Sequence, residues 1–244
     1  MPSLRDSGRI VEGSVAQVAA GCELSFPLSL RDFLATPGCP FQHCVQLHLK
    51  ILTGPNIPIP TMLARMREVY ATAGIRVEIA SRENLTAAVL GATNFTTLND
   101  LDVGACKSSA ISAEQTQLFQ NQNNVPAGQR ASEVVAYFVR TVTQTVPTNG
   151  VLNGCGAFPT GLPSVAIAQA CTRWTLAHEV GHVMGLNHIS GEHTGCPAKN
   201  PLCCSTPDFT RLMTGCSTNN IVGVPTLSQT EIDTMTNSTL ALPS

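Results

Sequence analysis

The sequence predicts an α+β fold built on one core: a twisted mixed sheet with two helices above it, then an irregular disulfide-stapled segment closed by a C-terminal helix. Three observations carry this. Strict alternation and helical spacing follow one another across residues 45–79, giving strand, helix, strand. Two short apolar runs, Val134–Val139 and Ser164–Ala168, read as buried strands, the second directly ahead of a further helix. Beyond residue 188 the periodicity dissolves into Gly, Pro and the cysteines Cys196, Cys203, Cys204 and Cys216.

Residues 1–40 show no sustained period and include Pro37-Gly38-Cys39-Pro40, so they are expected to be an N-terminal extension or a prosegment. The domain proper is expected over 41–244. Val45, Leu47, Leu49 and Ile51 alternate with Gln46, His48 and Lys50, the pattern of a half-buried strand. His48 then belongs on the polar face as a solvated histidine rather than a metal ligand, and the same is expected of His43. After the turn residues Gly54–Pro58, the positions Met62, Leu63, Met66, Val69, Tyr70 and Ala73 recur at helical spacing, with Gly74 as the stop. Met62 and Met66 are core positions in this reading. Ile75, Val77 and Ile79 alternate again, and a strand–helix–strand unit makes a right-handed parallel crossover.

Residues 81–130 give a weaker pattern, and the polar run Gln115–Asn124 predicts a long surface loop or a poorly packed helix. The glycines and closing proline of Gly150–Pro159 suit an edge strand or bulge. A last helix starts at the capping-box sequence Ser228-Gln-Thr-Glu231, with Ile232 and Met235 facing inward. No internal repeat and no second domain with its own core is evident.

Composition narrows the partners. Charged residues make up 12% of the 244 and the formal net charge is -2, with no basic block long enough to follow a phosphate backbone. Nucleic acid is therefore not expected as a partner. No apolar run approaches the roughly 18 residues of a membrane span, and a monomer is expected. Ten cysteines, an even number, point to disulfides and hence to a secreted, extracellular protein. No C-x-x-C pair suggests a cysteine zinc site, and the adjacent Cys203 and Cys204 are expected to reach different partners. Met1–Ile10 carries charges and no apolar core, so a signal peptide is not visible in this chain. Asn84, Asn94 and Asn237 stand in glycosylation sequons, which also arise by chance.

The chemistry concentrates in Thr175–Ser190. His178 and His182, one helical turn apart, share a face and can reach one metal ion. Glu179 stands beside the first of them, placed to hold a water. Gly185 can take the left-handed conformation that ends a helix and turns the chain back, which makes His188 a third ligand. His193 is a rival third ligand without an equivalent glycine; Glu192 and His193 read as loop residues. Three neutral imidazoles would leave Zn2+ an open position for water, the arrangement of catalytic rather than structural zinc.

The pattern H-E-x-x-H-x-x-G-x-x-H, followed by Leu212-Met213-Thr214, resembles the metzincin clan of zinc endopeptidases, whose signature adds a methionine-containing turn downstream. The resemblance implies a metzincin-like two-lobe catalytic domain, upper lobe about 41–188 and lower lobe about 189–244. It implies Zn2+ on His178, His182 and His188, and Met213 as a hydrophobic floor that does not bind the ion. Glu179 would serve as general base and then general acid in hydrolysis of a protein or peptide substrate. Residues near 152–158 would form an edge strand that pairs with that substrate.

Some members carry a tyrosine ligand two residues after the methionine, where this chain has Gly215. Ile189 matches none of the common residues after the third histidine, and the interval from His188 to Met213 is long, so no subfamily is assigned. Cys22 or Cys39 could act as a zymogen cysteine, although a structural disulfide is the expectation for each. Two other readings stand beside the endopeptidase. One is a non-catalytic metal-binding interaction module on the same scaffold, against which the retained Glu179 argues. The other is a cysteine-stapled structural protein whose histidines bind metal for stability alone.

Overall fold

Strand β1 (His43–Ile51) organises the sheet because its alternate residues are large and apolar and it finds a partner on each side. A computed structural model describes residues 41–146, 149–192 and 204–244. Helix α1 (Ile59–Ala71) connects β1 to β2 (Ile75–Asn84), which pairs parallel to it. β4 (Val134–Val139) lies parallel on the other side of β1, and β8 (Ser164–Ala168) parallel to β4. The two-residue strand β7 (Gly154–Cys155) runs antiparallel to β8 and ends the sheet, giving the order β2-β1-β4-β8-β7. At the chain's end β9 (Leu242–Pro243) pairs antiparallel with His43 and Cys44 of β1.

One face of this sheet carries α1 and α5 (Thr175–Val183), which sandwich Val45, Leu47 and Leu49 of β1 with Met62, Met66 and Val180 in the main core. The Tyr70 hydroxyl donates to the Ala177 carbonyl at 2.9 Å and joins the two helices. Met62 and Met66 are fully buried, as their helical spacing predicts. The core does not stop at residue 188: Leu212, Met213, Met235, Leu240 and Ala241 belong to the same cluster. Helix α6 (Gln229–Thr236) begins with the predicted capping box between Ser228 and Glu231; Met235 is buried and Ile232 packs at the core's edge.

The other face is where the sequence reading needs correction. Residues 85–133 and 141–146, on either side of β4, fold back over it as α2 (Ala87–Leu90), α3 (Ala92–Asn99), β3 (Asp100–Asp102), α4 (Ala113–Phe119) and β5 (Thr141–Gln144). With β6 (Gly150–Leu152) they form a second sheet, β3-β5-β6, over a second apolar cluster. The polar run at 115–124 is a helix as far as Phe119 and a partly exposed turn beyond it, and the helical part is packed rather than loosely held. Ser112 caps α4 through the Gln115 N–H, and Gln115, Leu118 and Phe119 are buried.

Because both faces of β1 are covered, its polar residues are covered too. His48 is 2% exposed rather than solvated, held between Ser81 Oγ at 2.7 Å and Glu133 Oε2 at 2.5 Å. Lys50, fully buried, pairs with Glu83. His43 is half-buried, its Nδ1 3.3 Å from the Ala241 carbonyl.

Two disulfides lie among the described residues, Cys106–Cys155 and Cys204–Cys216. Cys44 and Cys171 are buried free thiols, the exceptions among the described cysteines to the expectation that most are paired. Burial pushes both thiols up to about 11, which keeps them protonated and unreactive. Residues 1–40, with Cys22 and Cys39, lie outside the described residues, as do His193, Cys196 and Cys203. No helix among the described residues is long and apolar enough to cross a membrane.

Removing the buried partner of His48 tests this second layer. Glu133→Ala should cost about 2 kcal/mol in urea unfolding, because it leaves an imidazole nitrogen buried without its acceptor. A loss under about 0.5 kcal/mol, the range of ordinary surface substitutions, would mean that the layer opens to water.

Candidate metal centre

Helix α5 turns Leu176, Ala177, Val180 and Val183 into the protein and leaves His178, Glu179 and His182 toward a cleft of about 860 Å³. The helix stops where the sequence predicts. The Gly185 N–H bonds to the His182 carbonyl (3.0 Å) and the Leu186 N–H to the Gly181 carbonyl (2.9 Å), a pair of bonds that requires a left-handed residue between them. Gly185 supplies it, with φ 102°. The reversed chain brings His188 back over the helix.

The ring nitrogens of His178, His182 and His188 converge, all within 4.8 Å of one another. His188 Nε2 lies 3.3 Å from His178 Nε2 and 3.0 Å from His182 Nε2. The far side of two rings is fixed by backbone carbonyls: His178 Nδ1 donates to Leu212 O at 2.7 Å and His182 Nδ1 to Leu186 O at 2.8 Å. A carbonyl can only accept, so the proton of each ring sits on Nδ1 and the Nε2 lone pair faces the convergence point. Lone pairs aimed at one another repel unless a cation lies between them. Tetrahedral ligands about 2.0–2.1 Å from a metal stand about 3.3 Å apart, and the spacing here fits a small dication. Burial, reinforced by the other two imidazoles, holds His178 well below the usual imidazole value, and burial lowers His182 as well. Both rings are therefore neutral at ordinary pH, the form that ligates.

Glu179 is 7% exposed and faces the same cleft. Burial pushes its carboxyl up to about 8, opposed by a hydrogen bond from the Gly156 N–H. A dication at the imidazoles would favour the carboxylate form. The β7 segment beside it is pressed against α5. A Cβ on Gly154 would lie 2.7 Å from Glu179 Cγ, and one on Gly156 2.6 Å from the Glu179 carbonyl oxygen and 2.8 Å from His182 Cβ. The expected edge strand within 150–159 thus exists, but in two pieces. β6 pairs into the second sheet, whereas β7 ends the main sheet at the cleft, tied to the 103–112 loop by Cys106–Cys155.

Met213 is fully buried under the helix: a Cβ on Gly181 would lie 2.9 Å from its Sδ. Its carbonyl accepts from the Ile189 N–H at 3.1 Å. Past it, Thr214, Gly215 and Ser217–Asn219 form the opposite wall of the cleft, and Cys204–Cys216 fixes that wall.

Of the residues the sequence reading singled out, His178, His182 and His188 converge and Glu179 lines the same cleft, whereas Met213 packs against Gly181 of the helix and does not line it. That reading missed Gly154, Gly156 and Gly181, whose signal was glycine beside or inside a regular element, where it is otherwise unfavourable. It read Glu192 as a loop residue, and Glu192 does stand in a turn, with its side chain 1% exposed.

The sequence matches no protein-family model and no curated protein. Among solved structures, metalloproteinase-II from Bacteroides fragilis is similar at 13% identity and a TM-score of 0.48, over 82% of this chain and 54% of that one. The chain thus spans about half the length of that protein. A zinc-dependent peptidase from Methanocorpusculum labreanum (strain Z) is similar at 12% identity and a TM-score of 0.33, over 77% of this chain and 92% of that one.

The close approach of β7 to α5 gives a direct test. Gly156→Ala should lower stability by about 2 kcal/mol, as overpacking against backbone does, whereas Gly54→Ala, with nothing within 4 Å of the added carbon, should be nearly neutral. Equal thermal midpoints for the two variants would refute the contact.

Proposed function

We propose that this chain is a zinc-dependent endopeptidase of metzincin type, with His178, His182 and His188 holding Zn2+ and Glu179 acting as general base and then general acid. The observation that carries the reading is the pairing of two features in one cleft. Ring nitrogens of three imidazoles converge there, and a buried carboxyl stands one residue from the first of them and is held by the Gly156 N–H. A site built only to stabilise the fold has no use for the second feature.

Zn2+, when bound, would supply a Lewis acid that polarises the scissile carbonyl and makes a water acidic near neutral pH. The chain's own groups do the rest. Glu179 takes the proton of the attacking water and returns it to the departing amine. The Gly156 N–H orients the carboxylate for both transfers. An extended peptide would lie along β7, which has one neighbour in the sheet and an edge at the cleft. Met213 acts as an apolar floor beneath the ligands and does not bind the ion. The domain at 41–244 would act outside the cell, a reading supported by the two disulfides among its described residues.

Glu179→Ala should retain one Zn2+ per chain and lose at least about 100-fold in cleavage of denatured casein, the usual contribution of a general base. Chelation should abolish wild-type cleavage and added Zn2+ restore it. Equal cleavage by both proteins would sink the mechanism; zinc binding with no cleavage by either would leave a metal-binding module on this scaffold.

A further inference from the structure

Glu192 lies outside the ligand set and yet is more deeply buried than any ligand, at 1% exposure. Its carboxylate collects three donors from two segments: the Thr214 hydroxyl at 2.7 Å and the Asp208 N–H at 3.0 Å on Oε1, and the Gly215 N–H at 2.6 Å on Oε2. Its backbone carbonyl accepts from the Ser205 N–H at 2.9 Å. One side chain therefore joins the segment that follows His188, the segment that follows Cys204 and the segment that follows Met213.

The last of these matters for the metal. Leu212 O fixes the tautomer of His178, Met213 packs under α5 at Gly181, and Met213 O holds the Ile189 N–H beside His188. Residues 188–192 and 212–215 thus run side by side, bonded at Ile189 to Met213 at one end and at Glu192 to Thr214 and Gly215 at the other. Sliding either segment would move the acceptor of His178 relative to His188.

We propose that Glu192 is a positioning residue of the metal centre, which fixes the register of the His188 segment against the 212–215 segment and so presets the His178 and His188 lone pairs. The inference rests on the metal binding stated above and not on peptide hydrolysis. Glutamine has the right shape, but its amide would present a donor to the Gly215 N–H or to the Thr214 and Asp208 donors, so one side of the clamp is lost in either orientation. Thr214→Val removes a single donor at nearly constant volume.

The test measures the Zn2+ dissociation constant by competition with a chromophoric chelator, alongside unfolding of the metal-free proteins. Glu192→Gln should weaken Zn2+ binding about tenfold, the lower end for groups that orient ligands, and Thr214→Val by less. The double variant should be no weaker than Glu192→Gln alone, since the two groups act through one contact. Ser228→Ala, which removes the cap of α6, should lower the unfolding midpoint and leave Zn2+ affinity unchanged, the behaviour of a residue that only stabilises. Should Glu192→Gln not fold, Thr214→Val carries the comparison by itself. A dissociation constant within about twofold of wild type in the folded variants, or no Zn2+ binding by wild type, overturns the proposal. Weakened Zn2+ binding in a protein that cleaves no peptide upholds it and removes the peptidase reading instead.

Discussion

The centre depends on two hydrogen bonds that point away from it. By donating Nδ1–H to Leu212 O and Leu186 O, His178 and His182 are held in the tautomer whose Nε2 lone pair faces inward. The segments on either side of the histidines put those two carbonyls in place. Leu186 O is there because Gly185 reverses the chain immediately after α5. Leu212 O is there because the segment after residue 204 is drawn under the helix by Met213, the Cys204–Cys216 bridge and the carboxylate of Glu192.

Close packing on the other side of the helix sets the position of the carboxyl group. Glycines at 154 and 156 let β7 approach α5 closely enough for a main-chain N–H to meet Glu179. The same approach buries the carboxyl, which raises its proton affinity. The second apolar cluster and the Cys106–Cys155 bridge back β7 from behind. The cleft wall therefore rests on a layer that is itself packed.

Periodicity was a good guide where one physical effect decided the outcome. Alternation placed β1 and β2, helical spacing placed α1, and the capping box placed the start of α6. It failed on His48, Lys50 and Gln115. Each is polar and read as exposed, and each is buried because a distant segment supplies a partner: Glu133, Glu83 and the Ala157 carbonyl. Hydropathy patterns measure the preference of a side chain for water and carry no record of a partner that reaches it from another part of the chain.

The five residues of the candidate site were legible for a related reason. His178, Glu179, His182 and His188 are tied by local geometry, since one helical turn and one left-handed glycine bring them together, and Met213 was added by resemblance. That much the sequence determined by itself: a local set of three histidines and the carboxyl beside them. Tertiary structure alone decided which carbonyls orient the rings, which strand edge faces Glu179 and that Glu192 lies beneath the cleft wall. Those contacts join residues far apart in the chain, and long-range partners are chosen by packing, which no local pattern encodes.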